Sequence, residues 1–464
     1  MLTNYCKIKN YWLPSIACLF LLGASCMKQN SEVNEVRLIT LDPGHFHAAL
    51  IQKKSYPQVS NDVHIYAPEG PDLDLHLKRI EGFNTRQDNP TAWNSIVYTG
   101  PDFLEKMLSE KKGNVVVLAG NNGKKTEYIK ESLSGGFNVL SDKPMAIDVA
   151  SFEKLKECFQ IAEQKKLLLY DIMTERFEIT TMLQKEFSLI PAIYGEQQKG
   201  TIEDPGIVKE SVHHFSKTVS GNPLIRPAWF FDVEQQGEGI VDVTTHLVDL
   251  VQWACFPEKI LNYQTDVEIL DANRWTTAMT LPQFSRVTGL DAFPEFLQKD
   301  IVGDDLLVYS NGNIFYNLLG VTAKVSVIWD YEAPVGGGDT HYSIMRGSKA
   351  NLIIEQGKEQ DYKPVLYIKA VANGGEEYEK ELLGSMNLIT DKFPGIELKK
   401  VAEDKWEVVV PAEYHTGHEA HFAQVAENFL QYLKRGYLPD WEVPNMIAKY
   451  YTTTKALEVA KNKQ

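Results

Sequence analysis

Short apolar runs alternate with helix-forming segments over the first part of the sequence. Six runs predict strands, at Val36–Leu41, Val63–Ala67, Trp93–Tyr98, Asn114–Ala119, Asn138–Ser141 and Leu167–Tyr170. Helical patterns at residues 102–111, 126–134 and 151–164 separate several of these strands. Strands joined through helices are parallel and cross over with a right hand, which leaves few topologies. The pattern predicts an α/β protein with a Rossmann-like, doubly wound parallel sheet over residues 33–172.

The loop after the first predicted strand departs from the usual dinucleotide-binding pattern. Such loops carry G-x-G-x-x-G, and their backbone amides bind the pyrophosphate. Here Gly44 stands alone, and Asp42 brings a negative charge. Asp42 suits the N-cap and Pro43 the first position of a helix starting here. Glu69 is placed either to accept hydrogen bonds from ribose hydroxyls or to lie solvated at a strand end.

Two histidines follow this glycine, His45 and His47, with Phe46 between them. They are either helix-packing residues or donors to a phosphate or carboxamide, which would compensate for the missing glycines. Cysteine and histidine spacings typical of a zinc site are absent from the sequence, so no metal is predicted.

Two further stretches carry side chains suited to proton transfer. Lys143 follows the fifth predicted strand, where Pro144 biases it toward extended backbone, and ligands of open α/β sheets bind at that edge. Asp242 and His246 are four residues apart and share one face of a helix if this segment is helical. Each motif alone also has a structural explanation, as a turn or a local contact. In one crevice, the lysine, carboxylate and imidazole can move protons at a hydroxyl or carbonyl.

The remainder, residues 173–464, predicts a C-terminal α+β domain on a large, mostly antiparallel sheet. Its β-type runs are Leu306–Tyr309, Val325–Trp329, Val365–Val371 and Trp406–Val410. Turn signals are predicted at residues 310–312 and 336–339. Residues 281–304 and 373–404 are not assigned to elements.

The ordered motifs resemble the Gfo/Idh/MocA family of NAD(P)-dependent oxidoreductases. The matching segments are residues 140–146 (L-S-D-K-P-M-A), 119–122 (A-G-N-N), 175–177 (E-R-F), 227–232 (P-A-W-F-F-D) and 237–249 (G-E-G-I-V-D-V-T-T-H-L-V-D). Asp142 replaces the glutamate of the family's E-K-P motif, and only Gly237 falls within its glycine triplet. The D-x-x-x-H-x-x-D half of that signature matches in register.

The resemblance implies roles for individual residues. Lys143 would contact the nicotinamide and the substrate hydroxyl, Asp242 would hold a neighbouring hydroxyl, and His246 would be the general acid or base, although the sequence does not decide between Lys143 and His246 as the base. The cofactor would be NAD or NADP, tightly held. Its binding residues would be Gly44, His45, Phe46, Glu69, Asn121, Asn122, Asp142 and Lys143.

The substrate of such a protein would be a sugar, a polyol or a keto form of one. The candidate substrate residues are Arg176, His213, Arg226, Trp229 and Asp242. Trp229 could stack on a pyranose ring or belong to the core. His415, His418 and His421, ahead of an amphipathic pattern, are either surface histidines or face the substrate. Family resemblance also suggests a homo-oligomer that forms through the open sheet face.

The N-terminal residues 1–26 have the pattern of an export signal, so we do not expect them to be part of the folded domain. Lys7 and Lys9 precede an apolar run at residues 11–22, too short to span a bilayer, and small residues then lead to Cys26. We expect a signal peptide over residues 1–26 and a lipid on Cys26, or ordinary secretion with cleavage nearby. The protein would then be a periplasmic or cell-surface lipoprotein, held at the membrane by that anchor alone. The net charge of −15 argues against a nucleic-acid partner.

Three functions fit these features. The first is an exported oxidoreductase that transfers hydride between a nicotinamide and a carbohydrate-like substrate. The second is a glycoside hydrolase or lyase on the same scaffold that recycles its NAD. The third is a sugar-binding protein that has lost the cofactor, which the altered glycine loop favours and the retained lysine, aspartate and histidine oppose.

Overall fold

The structure, a computed structural model, describes residues 35–219, 222–371 and 375–463. Its first region forms a sheet of six parallel strands in the spatial order β3-β2-β1-β4-β5-β6. The strands are β1 Leu38–Leu41, β2 Asp62–Tyr66, β3 Asn94–Tyr98, β4 Val115–Leu118, β5 Asn138–Asp142 and β6 Leu169–Ile172. This order confirms the doubly wound parallel sheet predicted from the alternating pattern.

The predicted signal segment, residues 1–26 with Cys26, lies outside the described residues. Within the described part of the chain, no helix combines the length and the apolar character that crossing a bilayer requires.

Five helices connect or follow these strands in the described part of the first region. They are α1 His47–Leu50, α2 Pro71–Thr85, α3 Phe103–Glu110, α4 Asn122–Gly135 and α5 Val149–Lys165. Helix α2 has no counterpart in the sequence-based assignment, because it buries only Leu73, His76 and Ile80 and its apolar stripe is therefore thin.

The predicted start of α1 at Pro43 is wrong. Asp42 has a φ of 46°, and its carboxylate accepts a hydrogen bond from the Tyr128 hydroxyl at 2.8 Å. The backbone amides of Gly44 and His45 both donate to the Ala119 carbonyl, at 3.2 and 3.0 Å. This contact with the end of β4 keeps the loop in a turn, so the helix begins only at His47.

The second region is built on a sheet of ten strands among the described residues, with β11 beside β12 and the others in the order β10-β12-β13-β7-β14-β15-β16-β18-β17. The strands are β7 Ile207–Ser216, β8 Thr218–Val219, β9 Asn222–Pro223, β10 Val267–Thr280, β11 Ile301–Val302, β12 Asp305–Leu318, β13 Val321–Glu332, β14 Thr340–Arg346, β15 Ala350–Gln356, β16 Val365–Ala370, β17 Glu397–Ala402 and β18 Lys405–Val409. β8 and β9 form a separate hairpin. Strands β7 and β13 pair in parallel and the other neighbours are antiparallel, which confirms a large, mostly antiparallel sheet.

The helices of this region are α6 Ile179–Ser188, α7 Val233–Gln236, α8 Thr244–Cys255, α9 Leu281–Thr288, α10 Glu376–Gly384, α11 Asn387–Thr390, α12 His418–Arg435 and α13 Glu442–Lys461. The turn predicted at residues 310–312 is wrong, because these residues lie inside β12. A Cβ added at Gly312 would come within 2.7 Å of the Ile240 side chain, so this glycine permits a close approach instead of a turn.

A buried ionic network joins the two regions. The Lys449 ammonium on α13 lies 2.6 Å from the Asp171 carboxylate on β6 and 2.8 Å from the Asp249 carboxylate on α8. Arg176 donates twice to Asp249, at 2.7 Å each, and once to Glu442 at 2.8 Å. Each charge therefore has a partner, as a buried charge requires. The network fixes α8, and hence His246 in its first turn, against the parallel sheet.

We expect Lys449→Met to destabilise the protein by on the order of 3–5 kcal/mol, because it leaves the buried carboxylates of Asp171 and Asp249 without their shared cation. Urea denaturation followed by circular dichroism measures this loss. Lys349, in a solvent-exposed pair with Glu381, is the matched control, and Lys349→Met should cost about 0–1 kcal/mol. Equal losses in the two variants would contradict a stabilising role for the network.

Candidate functional site

A cavity of about 2330 Å³ lies at the carboxyl edge of the parallel sheet. One wall is formed by residues after β1, β4 and β5. The opposite wall comes from β7, β13 and the loop at residues 333–339, and residues 415–423 around the start of α12 also line the cavity. Pockets for small ligands measure roughly 300–1,000 Å³. The cavity therefore has room for more than a single small sugar.

Lys143, Asp242 and His246 all line this cavity, as predicted. Lys143 follows β5, and its Nζ lies 2.5 Å from Asp242 Oδ1 with both side chains mostly buried. Asp242 precedes α8 and is not on the helix, so the predicted shared helical face is replaced by a turn that leads into it. Gln236 donates to the other carboxylate oxygen of Asp242 at 3.1 Å. The ion pair is thus held in place from both sides.

His246 presents a neutral imidazole to the cavity. Burial, followed by the positive charge of Lys143, lowers the pKa of His246 well below 6.5. Its buried Nδ1 atom has no hydrogen-bond partner among the described residues. A neutral imidazole in a cavity wall can accept a proton from a bound hydroxyl.

Asp142, His45 from the β1–α1 loop and His47 from the start of α1 meet at the same wall. His47 Nδ1 lies 2.9 Å and His45 Nδ1 3.7 Å from Asp142 Oδ2. Burial is the largest cause that lowers the pKa of both imidazoles, followed by His47 for His45 and by His418 for His47. The alternative that these are helix-packing histidines is not supported for His45, whose ring lies in the cavity wall ahead of the helix.

The cavity wall suits the nicotinamide half of a dinucleotide better than its pyrophosphate half. Near Lys143, the cavity offers His45, Gly120 and Asn122 as lining residues. At the first loop, however, the amides of Gly44 and His45 are already bonded to a carbonyl, and Trp229 covers Gly44 so closely that an added Cβ would lie 3.0 Å from the indole. The residues fit the nicotinamide end, whereas the first loop does not offer its usual phosphate amides.

Three of the predicted cofactor residues lie outside the cavity lining. Gly44 lies behind it, under Trp229. Glu69 is exposed after β2 and accepts a hydrogen bond from the Thr99 hydroxyl at 3.2 Å. Asn121 donates to the Gln235 side chain at 2.7 Å, which ties the β4–α4 loop to α7.

Some of the predicted substrate residues line the cavity and others do not. His213 lines the cavity and contacts Asp339 Oδ2 at 3.3 Å. Arg226 lines it too, but its guanidinium donates to the backbone of Phe215 at 3.0 Å and stacks on neighbouring aromatic rings. The prediction that Arg176 contacts the substrate is wrong, because its guanidinium points into the ionic network.

Trp229 also does not line the cavity. Its indole Nε1 donates to Asp72 Oδ2 at 2.8 Å, in the first region. The prediction of a stacking platform for a pyranose ring is therefore not supported, since the ring is used in a contact between Gly44 and α2.

Several cavity residues were not predicted as site residues. Glu175, next to Arg176, faces the cavity, and burial raises the pKa of its carboxyl despite the nearby charges of His213 and Lys143. Asp339 lies opposite in the glycine-rich loop and also pairs with Lys217 at 2.9 Å. Burial raises the pKa of Asp339, but the hydrogen bond from His213 and the charge of Lys217 outweigh it and hold the pKa below its usual range. A sequence signal existed only for Glu175, inside the matched E-R-F segment.

The histidines before and in α12 face the cavity, which supports the second of their two interpretations. His415, His418 and His421 all line it. His418 Nε2 lies 3.7 Å from Glu175 Oε1. Burial and the charge of Lys217 lower the pKa of His418.

Comparison with known proteins matches both regions. Residues 73–171 match the family model "Oxidoreductase family, NAD-binding Rossmann fold", and residues 183–461 match "Putative oxidoreductase C terminal domain". Among curated proteins, no significant match was found. A crystal structure from Parabacteroides merdae, described as a "putative oxidoreductase", is 65% identical, covers 93% of this chain and 98% of its own, and superposes with a TM-score of 0.91.

More distant structures share the fold. A levoglucosan dehydrogenase in complex with NADH and levoglucosan is 13% identical with a TM-score of 0.60, and covers 92% of this chain and 98% of its own. A 3-ketoreductase from Actinomadura kijaniata, in complex with NADP, is 14% identical with a TM-score of 0.54 and the same coverage. The matches to the two family models and to the Parabacteroides relative show that the chain belongs to the Gfo/Idh/MocA family of oxidoreductases. The first domain of this family is an NAD-binding Rossmann fold.

Proposed function

We propose that the protein is an NAD(P)-dependent oxidoreductase that interconverts a hydroxyl and a keto group on a carbohydrate-like substrate. One observation carries the proposal: Lys143, paired with Asp242, and the neutral imidazole of His246 face a single large cavity at the carboxyl edge of the parallel sheet. This is the edge at which ligands of such sheets bind.

The protein's own residues would handle the proton and the orientation of the substrate. The neutral imidazole of His246 accepts the hydroxyl proton as the carbon is oxidised, and returns it in the reverse direction. The Lys143 ammonium donates a hydrogen bond to the same substrate oxygen, and Asp242 holds that ammonium in place. A bound nicotinamide supplies the hydride acceptor or donor.

The cofactor assignment is supported by the family, whose Rossmann model binds NAD, and by structures of the same fold with NADH or NADP. In this chain, Lys143, the His45 side chain and Gly120 would hold the nicotinamide end. Because the Gly44 and His45 amides are engaged elsewhere, other donors must serve the phosphates. The sugar substrate is supported by the levoglucosan bound to one of those neighbours.

A second candidate is a carbohydrate-binding protein without a redox cofactor. The engaged amides of the first loop and the cover of Trp229 over Gly44 favour it. It leaves the pairing of Lys143 with Asp242 beside a neutral His246 without a chemical role, and we therefore place it second.

Export, a lipid on Cys26 and a periplasmic or cell-surface location belong to the proposal as well. They are supported by the lysines, the short apolar run and the small residues that precede this cysteine. A homo-oligomer is supported by the family resemblance. Electrospray mass measurement of the protein from membranes would detect the acyl groups on Cys26.

The His246→Ala variant tests the proton-transfer role. We expect kcat to fall by roughly 10²–10⁴-fold, the contribution of a positioned acid–base group, with the fold retained. The assay follows the absorbance of reduced nicotinamide over a panel of aldoses, polyols and anhydrosugars. His64, on β2 and outside the cavity lining, is the control, and His64→Ala should keep the wild-type rate. Full activity of His246→Ala would contradict the assignment of His246 as the proton-transfer group.

The pH profile tests the same residue without mutation. Because burial and Lys143 lower the pKa of His246, its basic form persists as the pH falls through 6.5, the usual histidine value. We expect kcat/KM for oxidation to stay level across pH 6.5 and to decline only at more acidic pH. An acid limb centred at or above pH 6.5 would contradict a neutral His246 as the base.

Cofactor content separates the two candidate functions. We expect mass spectrometry of freshly purified, denatured protein to detect about one NAD(H) or NADP(H) per chain, as a tightly held cofactor requires. Lys143→Met should release less nucleotide, because it removes the contact at the nicotinamide end. If no nucleotide is released and none binds on titration, the carbohydrate-binding candidate replaces the oxidoreductase.

A further inference from the structure

Three potential metal ligands converge at one point of the cavity wall. One ring nitrogen of His45, one ring nitrogen of His47 and one carboxylate oxygen of Asp142 all lie within 4.8 Å of one another. The Nδ1 atoms of His45 and His47 are 3.7 and 2.9 Å from Asp142 Oδ2. Two ligands at about 2.1 Å from a tetrahedral zinc ion are roughly 3.4 Å apart. The observed spacings bracket that value.

The charges of Lys125 and Lys143 act on this cluster, but neither ammonium contacts the Asp142 carboxylate. Asp142 is buried, and among the described residues no lysine or arginine comes within 4 Å of its carboxylate. The Lys125 ammonium bonds instead to the Asp142 backbone carbonyl, at 3.0 Å. The Lys143 ammonium is paired with Asp242. The direct side-chain contacts of this buried carboxylate are therefore imidazole nitrogens, which are also metal ligands.

The hydrogen-bond geometry of His45 indicates that its Nδ1 atom carries no proton. Its Nδ1 atom accepts from the His47 backbone N–H at 3.4 Å, which places the proton of the neutral ring on Nε2. This deprotonated Nδ1 atom lies 3.7 Å from Asp142 Oδ2. Because the nitrogen has a single lone pair, a bound cation would take the place of the long 3.4 Å hydrogen bond from the His47 amide.

We propose that His45, His47 and Asp142 bind a divalent transition-metal ion at the edge of the cavity. Two imidazoles and one carboxylate are the ligands that Zn²⁺, Fe²⁺ and related ions accept, and three protein ligands leave positions open for water or substrate. His45 and His47 line the cavity that holds Lys143 and His246. The open positions therefore face the same space as the proton-transfer residues.

The role of such an ion follows from its place. A substrate oxygen that enters an open position would be polarised, which makes its hydroxyl proton easier to remove by His246. The inference concerns binding and does not rest on the proposed function, because metal binding is measured without turnover.

The test is titration of tag-free, chelator-treated protein with Zn²⁺ by calorimetry and with Co²⁺ by visible absorbance. We expect one ion per chain, with Co²⁺ bands typical of low coordination number. His45→Ala, His47→Ala and Asp142→Asn should each weaken binding by more than the roughly 10–100-fold that loss of an outer-shell partner costs. Asp142→Asn is nearly isosteric, and thermal melting checks that each variant is folded.

His213→Ala is the matched control, because His213 is another cavity histidine in contact with a carboxylate, that of Asp339. It should bind Zn²⁺ as the wild type does. Failure of the wild type to bind one ion per chain would overturn the site. So would unchanged binding in His45→Ala and Asp142→Asn, or an equal loss in His213→Ala.

Discussion

The architecture depends on five buried charged side chains that form ion pairs with one another. Lys449 and Arg176 are the cations, and Asp171, Asp249 and Glu442 the anions, each in contact with a partner of opposite sign. Burial raises the pKa of Asp249, but Arg176 and Lys449 outweigh that effect and hold it below its usual range. Removal from water is costly for every member, so the network is stable only when all its elements are in place. It thereby fixes two helices against the last strand of the parallel sheet at a defined distance.

The same constraint determines the chemistry of the cavity. Lys143 comes from the parallel sheet, whereas Asp242 and His246 come from the segment packed against it. The three side chains therefore meet only because the two regions are held in a fixed position. Small displacements of catalytic side chains lower the reaction rate by large factors. Burial serves a second purpose, since it keeps the imidazoles uncharged and able to accept a proton or, at His45 and His47, a metal ion.

The parallel sheet and Lys143 were predictable because they follow from local patterns: the alternation of strands and helices, and a lysine before a proline at a strand end. Contacts decided by distant packing were not. Arg176 turns toward the Asp249 carboxylate of α8, whereas its neighbour Glu175 faces the cavity. Which of the two side chains faces the cavity therefore depends on where α8 packs. The convergence of His45 on Asp142 spans almost a hundred residues and requires the β1–α1 loop to bond to β4 instead of starting a helix. No spacing along the chain encodes that choice.

The ionic network also orders the events of biosynthesis. Asp171 leaves the ribosome long before α13, which carries Lys449, and until then its carboxylate lacks its cationic partner. At synthesis rates of about 5–20 residues per second, the intervening segment of nearly 280 residues takes roughly 14–56 seconds to appear. Until α13 packs against β6, the Asp171 carboxylate can stay hydrated. The buried network therefore closes only after α13 has been synthesised.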